Sequence, residues 1–290
     1  MSEDLLYDDE VRLPGGPRLA VRRADGAGRP FLLVHGLSSN ARLWDGTGRR
    51  LAAAGHEVVA VDQRGHGRSE QVEDGYTTPQ CAADLAALRA ELGLVGDRAP
   101  VVAGQSWGGN VVLHLAAEHG GVAGVAFVDG GFIWLGERYP TFEECWAELA
   151  PPQMDGVTLA DLTERFRGWF ADFPPEGVEG QLANLTEVDG VARARLTREH
   201  HREILRSLWE IDPRPLFGKV DVPALLAVAV PADGDDPRAG LPVAAAALPD
   251  VVVSRYVGAH HDLHAQQPDQ MAADLLALAD RAERAEGVRR

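Results

Sequence analysis

The segment that most constrains this chain is Val101-Val102-Ala103-Gly104-Gln105-Ser106-Trp107-Gly108-Gly109-Asn110-Val111-Val112-Leu113-His114-Leu115. A β-branched apolar run stops at Gly104, and apolar residues at helical spacing begin just past Ser106, so a strand turns sharply into a helix with a serine at the apex. Gly104 and Gly108 are small because strand and helix backbones meet there, and a Cβ at either place would collide or strain the turn. Such a turn is a nucleophile elbow, which pushes the serine hydroxyl out of the sheet. In a chain with 32 glycines a G-x-S-x-G string can arise by chance. Its weight therefore rests on the strand-turn-helix context.

The rest of the chain supplies the sheet that such an elbow needs. Val11 to Val21 reads as a hairpin around Pro14-Gly15-Gly16 at a sheet edge. Phe31-Leu32-Leu33-Val34 and Glu57-Val58-Val59-Ala60-Val61 are continuous apolar runs suited to strands covered on both faces. Each ends in a polar turn, His35-Gly36 and Asp62-Gln63-Arg64-Gly65-His66-Gly67-Arg68-Ser69. Helices are expected from Trp44 to Ala54 and from Pro79 to Leu92. Val122 to Val128 is another buried strand, ending in Asp129-Gly130-Gly131. An acid at a strand's C-terminal end lies on the functional edge of an open α/β sheet. Strands resume at Val222 to Val230 and Val251 to Val257, and a helix from Pro268 to Glu286 closes the chain. Strands alternating with helices imply an α/β fold with a mostly parallel central sheet flanked by helices.

Between about Ile133 and Pro215 that rhythm stops, and aromatic and charged residues at helical spacing take over. This predicts a helical cap, 133–215, inserted between the sixth and seventh strands of a core formed by 1–132 and 216–290. Phe166, Trp169, Phe170 and Phe173 fall in one eight-residue window, with Trp146 and Trp209 on either side. A small cap has little core of its own and rests its apolar face on the sheet edge, so an apolar substrate pocket is expected beneath it. His35, Trp134, Trp146, Trp169 and Phe170 are the candidates for its wall.

Charge narrows the partners. Lys+Arg total 28 against Asp+Glu 44, a formal net charge of -16 that repels phosphate backbones and anionic membranes, so nucleic acid is not expected as a partner. No apolar run is long enough to span a bilayer, and the N-terminal residues lack the basic start and apolar core of a signal peptide, which makes a cytoplasmic location the expectation. Cys81 and Cys145 are far apart and lack a partner spacing, as packed reduced thiols do.

The order of these motifs, His35-Gly36, the glycine-rich turn after Asp62, the Ser106 elbow, and Gly258-Ala259-His260-His261 followed by Pro268, resembles the α/β-hydrolase superfamily over nearly the whole chain. The resemblance implies a capped serine esterase or lactonase, with Ser106 as nucleophile and His261, seven residues before Pro268, as its base. His260 fits that spacing one residue less well. The acid is open: Asp233 follows the seventh strand, where the family most often places it, and Asp129 follows the sixth, a site used by other branches. Asp129 is preferred, because Pro231 and the lack of a preceding glycine disturb the other segment. Backbone N–H groups of Leu37 and Trp107 are the expected oxyanion donors. His35 and His66 are expected to be structural members of their turns, and His200-His201 solvated surface on the cap. A metal reading of His260-His261-Asp262-Leu263-His264 lacks further ligands, and no metal or organic cofactor is implied. Serine at the elbow argues against epoxide-hydrolase or dehalogenase chemistry, where the family's nucleophile is a carboxylate. C–C bond or amide hydrolysis, acyl transfer, and a small-molecule receptor on the same scaffold share the remaining features. The substrate and the oligomeric state are not encoded in any motif.

Overall fold

Short apolar runs separated by helices give a sheet whose middle strands are buried on both faces. The computed structural model describes residues 5–153, 156–231 and 240–289. Strands β1 (Tyr7–Arg12) and β2 (Arg18–Ala24) form the antiparallel hairpin at one edge. Then come β3 (Gly28–Val34), helix α1 (Asp45–Ala53) behind a 3-10 turn at Ala41–Trp44, and β4 (His56–Val61). Helix α2 (Thr78–Glu91) starts at Thr77, whose side chain accepts the Gln80 N–H, with Pro79 in the first turn, where its missing N–H costs nothing. Next are β5 (Val101–Gln105), α3 (Trp107–His114) and β6 (Gly124–Val128).

After β6 the chain leaves the sheet for an insertion of short helices α4 (Leu135–Arg138), α5 (Phe142–Leu149), α6 (Leu159–Trp169) and α7 (Pro175–Leu182). The antiparallel hairpin β7 (Leu185–Val188) and β8 (Val191–Ala194) and helices α8 (Arg198–Glu210) and α9 (Arg214–Phe217) complete it. The purely helical expectation therefore needs correction by one hairpin. Its turn is Asp189-Gly190, with φ of +52° and +76°, the backbone that two-residue hairpins with right-handed twist require. Thr141 with Glu144 and Thr158 with Asp161 form capping boxes that start α5 and α6.

The chain returns as β9 (Ala224–Val230), followed by α10 (Gly240–Ala247), edge strand β10 (Val251–Val257), α11 (Leu263–Gln266) and α12 (Pro268–Arg289). Sheet order is β1-β2-β4-β3-β5-β6-β9-β10. The six strands from β4 to β10 run parallel, and β2 is antiparallel to β4. One apolar layer lies under α2 and α3 and the other under α1 and α12. This architecture brings the C-terminal ends of β3, β5, β6 and β9 to one edge, from which the insertion departs after β6.

Candidate active site

Ser106 sits at the end of β5 with φ +53° and ψ -125°, a left-handed backbone that a non-glycine residue adopts only when its surroundings enforce it. The enforcement is visible. Its N–H donates to the Val128 carbonyl at 2.9 Å, and its carbonyl accepts the Gly109 N–H at 2.9 Å. A Cβ on Gly104 would run into the Gly108 carbonyl, one on Gly108 into the His35 carbonyl, and one on Gly130 into the Ser106 carbonyl. Three glycines thus let strand, helix and two neighbouring turns converge on one serine.

Asp129, one residue past β6, also has a positive φ, +48°. Its N–H donates to the Ala227 carbonyl at 2.7 Å, and its Oδ1 accepts the Ala229 N–H at 3.0 Å, so the backbone of β9 orients the carboxylate. Oδ2 lies 2.6 Å from Nδ1 of His261. The carboxylate is 8% exposed and the imidazole 50%, which puts the charge in the protein and the ring at the opening. With Nδ1 directed at Asp129, proton exchange with a hydroxyl falls to Nε2. The His261 turn follows Gly258 (φ +70°) and is tied down from both sides. Gln105 donates to the His261 carbonyl at 3.3 Å, and Gln181 of α7 to Asp262 at 2.7 Å. The rival His260 turns instead to the insertion, its ring 5.5 Å from those of Phe170 and Phe173. Asp233 lies outside the described residues.

The turn from His35 to Ser39 lies directly against Ser106, since a Cβ on Gly36 would stand 3.0 Å from Ser106 Cβ. Leu37 follows Gly36 in that turn, and Trp107 opens α3, where the first N–H groups have no acceptor within the helix. The Trp107 ring is fully buried, with Nε1 donating to Thr78 at 3.1 Å. His35 is also fully buried, and it is not among the residues that line the cavity beneath the insertion. Its Nδ1 faces the Gly36 carbonyl at 2.7 Å and its Nε2 accepts the Gln63 N–H at 3.0 Å. His66 repeats the pattern, Nδ1 to the Arg64 carbonyl at 2.9 Å and Nε2 accepting the Ser38 N–H at 3.3 Å. Both patterns require a neutral ring protonated on Nδ1. Burial provides it, lowering His35 to about 4 against a weaker pull from the Gly36 carbonyl. His66 is held well below the usual imidazole range by burial and then by the adjacent His35.

His201 departs from expectation. It is buried rather than solvated, and its Nδ1 lies 2.8 Å from Ser38 Oγ. The signal was in the spacing: His201, Ile204, Leu205 and Leu208 share the inward face of α8. Ser38, at φ +56°, is thus held from the insertion.

A cavity of about 270 Å³ opens between the core turns and the insertion. Ser38, Ser39 and His66 form its core side, and Phe166, Leu185, Arg195 and Leu196 stand among the insertion residues opposite. Beyond His35, the other proposed wall residues lie elsewhere. Trp169, the last residue of α6, is 63% exposed on the surface. Trp134 stacks under Arg214, Trp146 packs against Arg198 and Arg202, and Phe170 rests on Phe173 beside His260. Cys81 and Cys145 are buried free thiols, and among the described residues no three His, Cys, Asp or Glu side chains gather to hold a metal.

Residues 31–274 match the profile of the alpha/beta hydrolase family. The chain belongs to that family. Among curated alpha/beta relatives, a non-heme haloperoxidase of Rhodococcus erythropolis is 30% identical over 268 residues, 88% of this chain and 93% of that protein. The crystal structure of E-2-(acetamidomethylene)succinate hydrolase superposes with a TM-score of 0.78 at 22% identity, covering 95% of this chain and 99% of the other. An N-acyl homoserine lactonase bound to N-hexanoyl homoserine does so at 0.69 and 18%, covering 94% and 95%. For this alpha/beta hydrolase the solved structures speak to the fold alone. No described helix is long and apolar enough to cross a membrane.

Proposed function

We propose that this chain is a cytoplasmic serine hydrolase that cleaves a carboxylic ester or lactone through an acyl-enzyme. The observation that carries the reading is the 2.6 Å contact of His261 Nδ1 with an Asp129 carboxylate already oriented by the Ala229 N–H. Ser106 Oγ attacks the carbonyl carbon as its proton passes to His261 Nε2, and Asp129 fixes the ring tautomer and stabilises the imidazolium. The Leu37 and Trp107 N–H groups receive the negative charge that develops on the carbonyl oxygen. Collapse of the tetrahedral adduct breaks the acyl C–O bond, and the departing alkoxide takes the proton from His261. A water then attacks the Ser106 ester by the same steps in reverse, releasing the acid. Residues 133–215 act as the cap that shields this chemistry from bulk water, with the acyl group housed in the cavity beside Ser38. A serine adds to a carbonyl to give an ester that water can open, which favours esters and lactones over epoxides.

Labelling with a fluorophosphonate tests this without knowledge of the substrate. The expected result is one adduct, mapped to Ser106 and abolished in His261→Ala. An unlabelled wild-type protein, with a small probe that passes the cap, overturns the reading.

A further inference from the structure

The cavity between core and insertion is apolar on several sides but carries one charged lining residue among those described, Arg195 at the end of the β7–β8 hairpin. The guanidinium is fixed in place rather than waving in solvent. Its Nε donates to the Ala183 carbonyl at 3.0 Å, its backbone N–H to the Asn184 carbonyl at 3.1 Å, and Gln71 donates to its own carbonyl at 3.1 Å. Among the described residues it makes no ion pair within 4 Å. Asp62 feels its charge, yet that carboxylate is already occupied by the N–H groups of Ala41 and Arg68. A half-buried guanidinium with only Nε engaged keeps its terminal N–H groups to spare for an anion.

Two further donors line the same cavity. Ser39 Oγ is buried and has no hydrogen-bond partner, an uncommon state for a buried hydroxyl. Asn184 has its carbonyl oxygen taken by the Asn40 amide, which leaves its NH₂ as a donor. His66 is neutral and its Nε2 is engaged by Ser38, so it adds no charge. Arg195 also borders a smaller space of about 140 Å³, where the other lining arginines, Arg22, Arg42 and Arg68, are already ion-paired with Asp8, Asp45 or Glu179. The larger cavity holds no carboxylate among its described lining residues.

We propose that Arg195, with Ser39 and Asn184, forms a carboxylate-binding subsite, and that the substrate is a small ester or lactone whose acyl chain ends in a carboxylate. The proposal rests on the serine-hydrolase reading and names its substrate class. Ser38, one residue beyond the proposed oxyanion donor Leu37, lines the cavity, so the space adjoins the turn that lies against Ser106, and an acyl chain whose carbonyl sits at Ser106 would enter it past Ser38. At about 270 Å³ it falls just below the usual ligand pockets of about 300 to 1,000 Å³, which suits a small substrate. A planar guanidinium fork matches a carboxylate with two parallel hydrogen bonds. The net charge of -16 opposes an anion only at long range. Beyond a Debye length of about 8 Å that field is screened, whereas a contact pair is not.

Two measurements separate the subsite from the chemistry. In the Ser106→Ala protein, calorimetric titration with glutarate and with uncharged glutaramide should show binding of glutarate alone, lost in Ser106→Ala/Arg195→Gln. In the active protein, kcat/KM for 4-nitrophenyl hemiglutarate over 4-nitrophenyl pentanoate should exceed one and fall about 10- to 100-fold in Arg195→Gln, the range of a charge-assisted hydrogen bond. Arg195→Lys should retain part of the preference, and Ser39→Ala should lower it about threefold without touching the guanidinium. The ratio is internally controlled, since each variant must turn over the neutral ester to give one. An unchanged ratio in Arg195→Gln, or equal binding of glutarate and glutaramide, overturns the subsite. Arg195-dependent glutarate binding in a protein that hydrolyses neither ester and takes no fluorophosphonate supports the subsite while overturning the hydrolase reading.

Discussion

At Asp129 a single residue carries two jobs, because its backbone is held at positive φ by the Ala227 carbonyl while its carboxylate is held by the Ala229 N–H and faces His261. Asp129→Asn keeps the shape and one oxygen but replaces the other acceptor with a donor, which favours the wrong imidazole tautomer. The expected result is a fall in kcat on the order of 10⁴ with KM little changed, read by steady-state kinetics on any ester the protein turns over. Retention of most of the activity would remove Asp129 from the triad. Gly36→Ala tests the neighbouring turn. Its methyl would stand 3.0 Å from Ser106 Cβ and closer still to the Gln105 amide, so fluorophosphonate labelling should slow at least tenfold. At this scale the sequence located Ser106 and Asp129 at strand ends and His261 in the turn after the last strand, the positions from which the proposed chemistry is built. It pointed to a pocket beneath the insertion but not to its wall, which is assembled from residues as distant as Ser39 and Arg195 and announces itself in no motif.

Helix α8 shows what an element adds to its residues. Its inner face sends His201 to Ser38, so the insertion grips the turn that carries Leu37. His201→Ala would leave a void and strip Ser38 Oγ of its partner, and a loss of about 2 to 3 kcal/mol is expected, measured as a lower urea midpoint at unchanged m. His201→Gln, which can still bond to Ser38, should recover part of it. A variant within 0.5 kcal/mol of wild type would mean that the contact is not maintained. The sheet elements were readable because buried parallel strands are continuous apolar runs, and each such run in the core lies in the sheet. The insertion was less so. Asp189-Gly190 between two short β-branched stretches is a hairpin signal, but the surrounding charges and aromatic residues at helical spacing outweighed it. Likewise the pair His200-His201 looks like surface until the period of 3.6 is applied to Ile204, Leu205 and Leu208.

Across the whole molecule, buried histidines set how stability responds to pH. His35, His66, His201 and His264 all have their pKa lowered by burial, and His35, His201 and His264 fall to about 4. The unfolded chain takes up a proton at each near pH 6.5 while the folded chain does not. The unfolded state therefore binds more protons between about pH 6.5 and 4, and stability drops as pH falls through that window, by up to about 1.4 kcal/mol per pH unit for each histidine. Two effects run the other way. Burial raises Asp45 and Asp62, whose protonated forms favour the folded state at low pH. The net charge of -16 also shrinks on acidification, relieving self-repulsion. A comparison with His264→Leu cancels these common contributions. His264 is fully buried against Trp44, ring centroids 4.2 Å apart, and neither ring nitrogen has a hydrogen-bond partner. Leucine removes both the unpaired polar atoms and the titration. The variant should match or exceed wild type at pH 7.5, and its advantage in urea unfolding should widen as pH drops to 5. Parallel stability curves would mean that His264 ionises in the folded protein near its usual pH, and that its burial does not hold the ring neutral.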